Sequence, residues 1–253
     1  MFQKRLNLRK VVIGIACLAV VSMMGMSLSS CEKDKTNDKT INGNGNLLTS
    51  EKTVSTFEKI VASGVAEVRY YASEEYRVVF TIDENLHDYI EIFTQNNEMN
   101  IGFKKNVSIS EITKFLVEVF CPVLTGISLD GFVDFESMNV ISTHTFKTTI
   151  SGSGKIKGAI ECENFAAEID GFGKMTITGN STDTRINIFG SGIFDSKEFT
   201  TKNATVNIDG FGEVYICVTD NLKVNISGSG ILYYWGEPKV ESTVSDFGKI
   251  IKK

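Results

Sequence analysis

Proline and histidine are scarce in this sequence, and basic charge is outnumbered by acidic. Two prolines in 253 residues leave long stretches in which every backbone N–H can donate, as a hydrogen-bonded β architecture requires. Two histidines remove most routes to a His-rich metal centre or a histidine general base. After Ser30 only 22 basic side chains face 31 acidic ones, a net charge of −9, which argues against sequence-independent nucleic-acid binding. Cysteine is equally sparse. Cys17 lies in the apolar leader and Cys31 in the motif that follows it, so Cys121, Cys162 and Cys217 remain. An odd count cannot pair completely, no C-x-x-C occurs, and these three read as small buried hydrophobes. No cofactor motif and no metal-ligand set is present.

Long apolar runs are missing too, except one. Lys4, Arg5, Arg9 and Lys10 precede the run Val11–Val21, the order of a secretory leader and too short for a confident membrane span. The run closes on Leu28-Ser29-Ser30-Cys31, which resembles the bacterial lipobox. Cys31 is therefore the expected lipid acceptor and first mature residue, and 1–30 the expected leader. Lipid on Cys31 would make the membrane a partner, at about 0.8 kcal/mol per buried methylene. The next stretch, EKDKTNDKTINGNGNLLTS, has neither strand nor helix periodicity, and residues 31–52 read as a flexible tether.

What the sequence has in quantity is glycine, and it repeats. Asp130-Gly-Phe-Val, Ser151-Gly-Ser-Gly, Asp170-Gly-Phe-Gly, Phe189-Gly-Ser-Gly, Asp209-Gly-Phe-Gly and Ser227-Gly-Ser-Gly recur every 18–21 residues, and Ser245-Asp246-Phe247-Gly248 ends the series. Before each turn stands Ile150, Ile169, Ile188, Ile208, Ile226 or Val244. Small or apolar residues recur two and four positions earlier, with polar residues such as Asn187, Asn207 and Asn225 between them. That is the period of a strand with one buried face. After each turn Phe135, Ile156, Met175, Phe194, Val214, Leu232 and Ile250 mark a second inward strand. Units this short, with strands and no helix, predict an all-β parallel β-helix whose coils stack at ~4.8 Å over residues 125–253.

The residue between the glycines alternates: Phe132, Ser153, Phe172, Ser191, Phe211, Ser229, Phe247. Two readings stand. Large–small alternation relieves crowding in a stacked column, or the rings form an exposed stripe, with Phe172 and Phe211 at its centre, able to stack on a ligand. Asp130, Asp170 and Asp209 follow the same phase and suit turn bonding, with calcium binding or acid catalysis as alternatives. Tyr233, Tyr234 and Trp235 form the densest aromatic cluster, in the last full coil. They read either as an end cap or as a binding platform.

From Thr53 to Leu124 no glycine-turn repeat is visible. Strands are expected at 58–62, 65–71, 76–82, 89–95, 99–103 and 115–120, a short helical turn at 109–115, and turns at Asp83–Leu86 and Gln95–Asn97. The segment reads as a non-repetitive β cap on the first coil, giving one domain over 53–253. Phe57-Glu58-Lys59-Ile60 with Ser63-Gly64, then Asp83-Glu84-Asn85-Leu86, then Pro122-Val123-Leu124 leading into the glycine repeats, resembles the autotransporter adhesin family called the head GIN domain. The resemblance spans about residues 54–244; Cys121-Pro122 stands where the family usually has an apolar residue before the proline. It implies a right-handed β-helix in a lipid-anchored envelope protein, with outer-membrane placement, and it assigns no catalytic residue.

Two functional classes follow. A non-enzymatic adhesion module would bind a surface glycan or envelope protein through a stiff repeat scaffold. A carbohydrate-active lyase or hydrolase would need acids and bases converging on one groove, and only Asp170, Asp209 and the intervening Arg185 offer themselves. A purely structural envelope role is the third reading.

Overall fold

The computed structural model describes residues 39–253; the leader, the lipobox and Cys31 lie outside the described residues. Strands make up 76% of it, with one short helix, and they wind into a β-solenoid of about seven turns. The chain runs through β1 (Lys39–Asn42), β2 (Leu47–Thr53), β3 (Lys59–Ala72) and β4 (Arg77–Asp83), then a 3-10 turn at Glu84–Tyr89. There follow β5 (Ile90–Gln95), β6 (Glu98–Phe103), β7 (Val107–Glu111), β8 (Phe115–Cys121) and β9 (Gly126–Ser137). The long strands are β10 (Ile141–Gly152), β11 (Lys155–Gly171), β12 (Lys174–Gly190), β13 (Ile193–Gly210) and β14 (Glu213–Gly228). The last are β15 (Ile231–Trp235), β16 (Lys239–Val244) and β17 (Lys249–Lys252).

Each long strand is one coil, running bent from one glycine corner to the next. Neighbouring coils pair in parallel, and Ile150, Ile169, Ile188, Ile208, Ile226 and Val244 fall in one column. The five isoleucines are buried, as are Ile156, Met175, Phe194, Val214 and Leu232 beyond the corner. Polar groups inside are bonded to one another: Ser181, Thr184 and Thr201 link their hydroxyls at 2.6–3.1 Å. On the outer face Asn225 donates to Asn207 and Asn207 to Asn187, each at 2.8 Å. A second ladder runs from Asn221 to Asn203 at 2.8 Å and on to Asp183 at 2.9 Å.

The first half departs from its sequence reading in three places. The repeat begins earlier than residue 125, because β3 pairs along its length with β9 and sets Gly64 on Gly131 and Val65 on Phe132. Gly64 has a positive φ of +87° like the later corner glycines. Five strands separate these two coils in the chain, so no short-period search connects them. β6 and β8 cover the other edge of β3, and β4 continues the sheet antiparallel to β8. These strands cover the start of the solenoid.

The expected tether is strand from Lys39 onward: β1 pairs with β7, and β2 lies antiparallel on β4. Asp83, fully buried, holds this segment. Its carboxylate accepts from Gly45 N–H at 2.7 Å, Thr113 N–H at 2.9 Å and the Thr113 hydroxyl at 2.8 Å. A side chain at Gly43 would strike that carboxylate, its Cβ falling 2.5 Å from Asp83 Cγ. Pairing with distant strands, not local periodicity, orders this polar stretch. The helical turn expected at 109–115 is also absent: Val107–Glu111 is strand because β1 pairs with it, and the helical turn sits at Glu84–Tyr89 instead.

Candidate binding surface

The G-x-G corner leaves one side chain free. At the first glycine φ is positive, from +91° at Gly131 to +122° at Gly210. A Cβ there would meet the carbonyl oxygen of the preceding coil's glycine at 2.6–2.9 Å. At the second glycine a Cβ would strike a core isoleucine, 2.6 Å from Ile150 Cγ2 at Gly173 and 2.6 Å from Ile188 Cγ2 at Gly212. Between them, the backbone N–H of x donates to the preceding coil, as Phe172 does to Gly152 at 2.9 Å and Phe211 to Gly190 at 2.7 Å. Close packing therefore claims the backbone and both glycines. Only the side chain of x escapes, and it points to solvent.

Phenylalanine occupies that position in alternate coils. Phe132, Phe172, Phe211 and Phe247 are 68%, 74%, 70% and 81% exposed, about 9.6 Å apart for a two-coil step. The stripe is thus a surface feature and not a core column. Val65 extends the column toward the cap, and the serines stand between the rings. Phe189, 45% exposed, adds a ring that the sequence pattern had hidden: it stands in the aspartate column, paired with Asp170 on one side and Asp209 on the other. Asp130, Asp170 and Asp209 are exposed beside the ridge.

Asp170, Asp209 and Arg185, the acid–base candidates of the sequence, do not converge on one point. Phe189 occupies the coil between Asp170 and Asp209, and Arg185 lies four residues back along that strand, about 13 Å away. A different constellation does exist. Ser50 Oγ and His87 Nε2 are 3.0 Å apart in a cleft of about 750 Å³ that Lys52 and Lys104 also line. Asp88 is 3.8 Å from the other ring nitrogen and 96% exposed, outside hydrogen-bond range. The pair is a hydroxyl–imidazole contact without a buried orienting acid. A smaller cleft of about 360 Å³ lies over Asn164, Asp183, Arg185 and Asn203, but the ladder bonds already engage Asp183 and Asn203.

The C-terminal aromatics divide between two directions. Tyr233 faces outward and stacks on Tyr215 with centroids 4.7 Å apart and planes 12° from parallel. Lys197 and Lys253 lie over the two rings. The Tyr215 hydroxyl donates to Glu213 at 2.7 Å, and that bond foremost pushes its pKa up to about 12. Tyr234 packs against the core, and Trp235 is half-buried opposite Cys217. Burial raises the Cys121 thiol to about 12 and the Cys162 thiol to about 11, so both are protonated and poor nucleophiles at neutral pH. Among the described residues no cluster of His, Cys, Asp and Glu could hold a metal ion.

Residues 56–238 match the family model described as "Putative auto-transporter adhesin, head GIN domain". No curated protein matches the chain. Among solved structures, a "putative adhesin" from Bacteroides fragilis is similar at TM-score 0.78 and 20% identity, over 84% of this chain and all of that one. A "putative lipid binding protein" from Parabacteroides distasonis gives 0.72 and 24%, over 85% of this chain and all of that one. A "putative adhesin" from Parabacteroides merdae gives 0.67 and 25%, over 85% and 99%.

Proposed function

Because the chain belongs to the head GIN domain family of auto-transporter adhesin type, we propose that it is a lipid-anchored, non-enzymatic binding module of the cell envelope whose contact surface is the phenylalanine ridge. The observation that carries this reading is the exposure of four rings at the one corner position that packing leaves unconstrained. Exposed apolar rings clustered at one edge form a patch suited to contact with a partner. A glycan suits the ridge. Ring faces stack on the C–H faces of sugars, and Asp130, Asp170 and Asp209 accept hydrogen bonds from hydroxyls. The polar sheet face fits less well, since its asparagine amides are bonded to one another along the ladders.

The anchor rests on the order of charge, apolar run and Leu28–Cys31, and outer-membrane placement on the company the family keeps. Among the described residues no helix is long and apolar enough to cross a membrane.

Two variants test the reading. Phe172→Ser with Phe211→Ser installs the residue already used at Ser191 and Ser229, so the fold is kept. Binding on a glycan array, or to isolated envelope material, should fall at least tenfold. Unchanged binding by the well-folded double variant refutes the ridge as the contact surface. Cys31→Ala should abolish lipid incorporation and release the chain from membranes, and continued labelling by palmitate would overturn the anchor.

A further inference from the structure

The two ends of the solenoid are finished differently. At its start the edge of β3 is covered by β6 and β8. At its end β16 pairs with β14 on one side, and among the described residues no strand pairs with its other side. The consequence shows in the core columns. Leu222, Val224 and Ile226 are 1%, 0% and 2% exposed, whereas Val240 and Val244, their column partners in the last coil, are 37% and 42% exposed. Ser242, between them, is exposed as well. β16 is six residues long, runs in unbroken register and contains no proline or bulge. Such an edge is a template for another strand, and repeat folds ordinarily close it with a cap.

The charges on β16 indicate what covers it. Lys239 and Glu241 are its outward residues of opposite sign, 3.2 Å apart and both well exposed. When this strand meets itself antiparallel with Val240 opposite Val240, each Lys239 faces a Glu241, twice over. A register one pair further would set Glu241 against Glu241, which like-charge repulsion opposes. We propose that the open end is a homotypic interface: β16 of one copy adds antiparallel to β16 of a second copy about a two-fold axis centred on Val240, pairing Lys239–Glu241 of each and covering the exposed Val240 of both. The contact is isologous and closes on itself, so it makes dimers and not fibres. Phe247, the most exposed ring of the ridge, lies at this end, so dimerisation brings two ridges together and raises avidity for a repeating ligand. The inference rests on the open edge and does not depend on the ridge being the binding surface.

Sedimentation velocity on the chain from residue 31 onward, with Cys31→Ala to exclude lipid, reads the association directly; the described residues form one compact unit. The unmodified end should give a concentration-dependent dimer. Lys239→Glu alone and Glu241→Lys alone each turn two attractive contacts into two repulsive ones and should weaken dimerisation about tenfold. Lys239→Glu together with Glu241→Lys restores complementarity and should restore the dimer. All these changes are on exposed side chains, and circular dichroism confirms the fold of each variant. A monomer at every concentration, single variants that dimerise undiminished, or a double variant that fails to recover each overturns the proposal.

Discussion

Three consecutive residues, Gly171, Phe172 and Gly173, should respond to substitution in three different ways. Gly171 has φ +120°, and its added Cβ would lie 2.7 Å from the Gly152 carbonyl oxygen. Gly171→Ala therefore combines a backbone strain of about 1–3 kcal/mol with overpacking of similar size, since the obstacle is backbone and cannot rotate away. Gly173 has no such φ, but its Cβ would sit 2.6 Å from Ile150 Cγ2 and 3.2 Å from the Gly154 carbonyl. Gly173→Ala should cost about 1–3 kcal/mol from overpacking alone. Phe172, 74% exposed, packs on little, and Phe172→Ser should change stability by less than about 0.5 kcal/mol. At about 2–4 °C per kcal/mol for a chain of this size, the melting midpoints should fall by about 4–24 °C, about 2–12 °C and at most about 2 °C in turn. Thermal denaturation by circular dichroism, supported by urea midpoints, makes the comparison. If Phe172→Ser melts as low as Gly171→Ala, the ring is a packing element and its role as a displayed side chain is refuted.

The remaining predictions concern the core and the clamp. Ile188→Asp buries an unpaired carboxylate in the isoleucine column and should cost several kcal/mol, about as much as a marginal domain has to lose; Asn187→Asp, one residue away on the outer face, should melt within a few degrees of the parent. Equal losses in both would refute the strand register. Burial alone would raise the Asp83 pKa, but bonds from Thr113, Gly45 and Lys114 outweigh it and hold the carboxyl below its ordinary 3.8. A depressed folded pKa gives stability that is fully present above the unfolded value and lost as pH falls through the folded one. The N-terminal segment should therefore loosen below about pH 4, and hydrogen exchange at residues 43–46 should report it. Asp83→Asn should show the loosened exchange already at pH 7 and little further change on acidification; exchange that stays pH-sensitive in that variant would locate the transition elsewhere.

How much of this was legible beforehand depended on the distance between partners. Ile169, Ile188 and Ile208 stand one coil apart, so a period near 20 residues exposed the column, its inward direction and its neighbours. Gly64 obeys the same rule as Gly131 but is 67 residues away from it, and the inserted cap strands erase the period. β1 and β2 could not be read because nothing in KTIN or LLTSEKT alternates strongly; their order comes from β7, β4 and the buried carboxylate of Asp83. The stripe was ambiguous for a local reason. Alternation decides inward from outward within a strand, but the x of a G-x-G corner belongs to neither flanking strand. Tyr233 and Tyr234, adjacent on β15, go to opposite faces as strand alternation requires.

The alternation of phenylalanine and serine can now be weighed against a control in the same molecule. If crowding at ~4.8 Å forbade rings in successive coils, the outward pair Tyr215 and Tyr233 could not exist; they sit one coil apart, 4.7 Å between centroids and nearly parallel. Successive rings are therefore tolerated, and they cover one another's faces when they occur. With serine between them, Phe132, Phe172, Phe211 and Phe247 stand about 9.6 Å apart, beyond the 4.5–7 Å range of aromatic pairing. Each keeps its faces open to solvent, as exposures of 68–81% record. Large–small alternation at this corner thus preserves accessible ring surface, which a packing device would instead consume. Ser191→Phe offers the matching test. It should fold, since the corner accepts phenylalanine one coil away on either side, and it should bind ligand less well by stacking its ring between Phe172 and Phe211. Stronger binding in that variant would show that total apolar area, and not open ring faces, is what the ridge supplies.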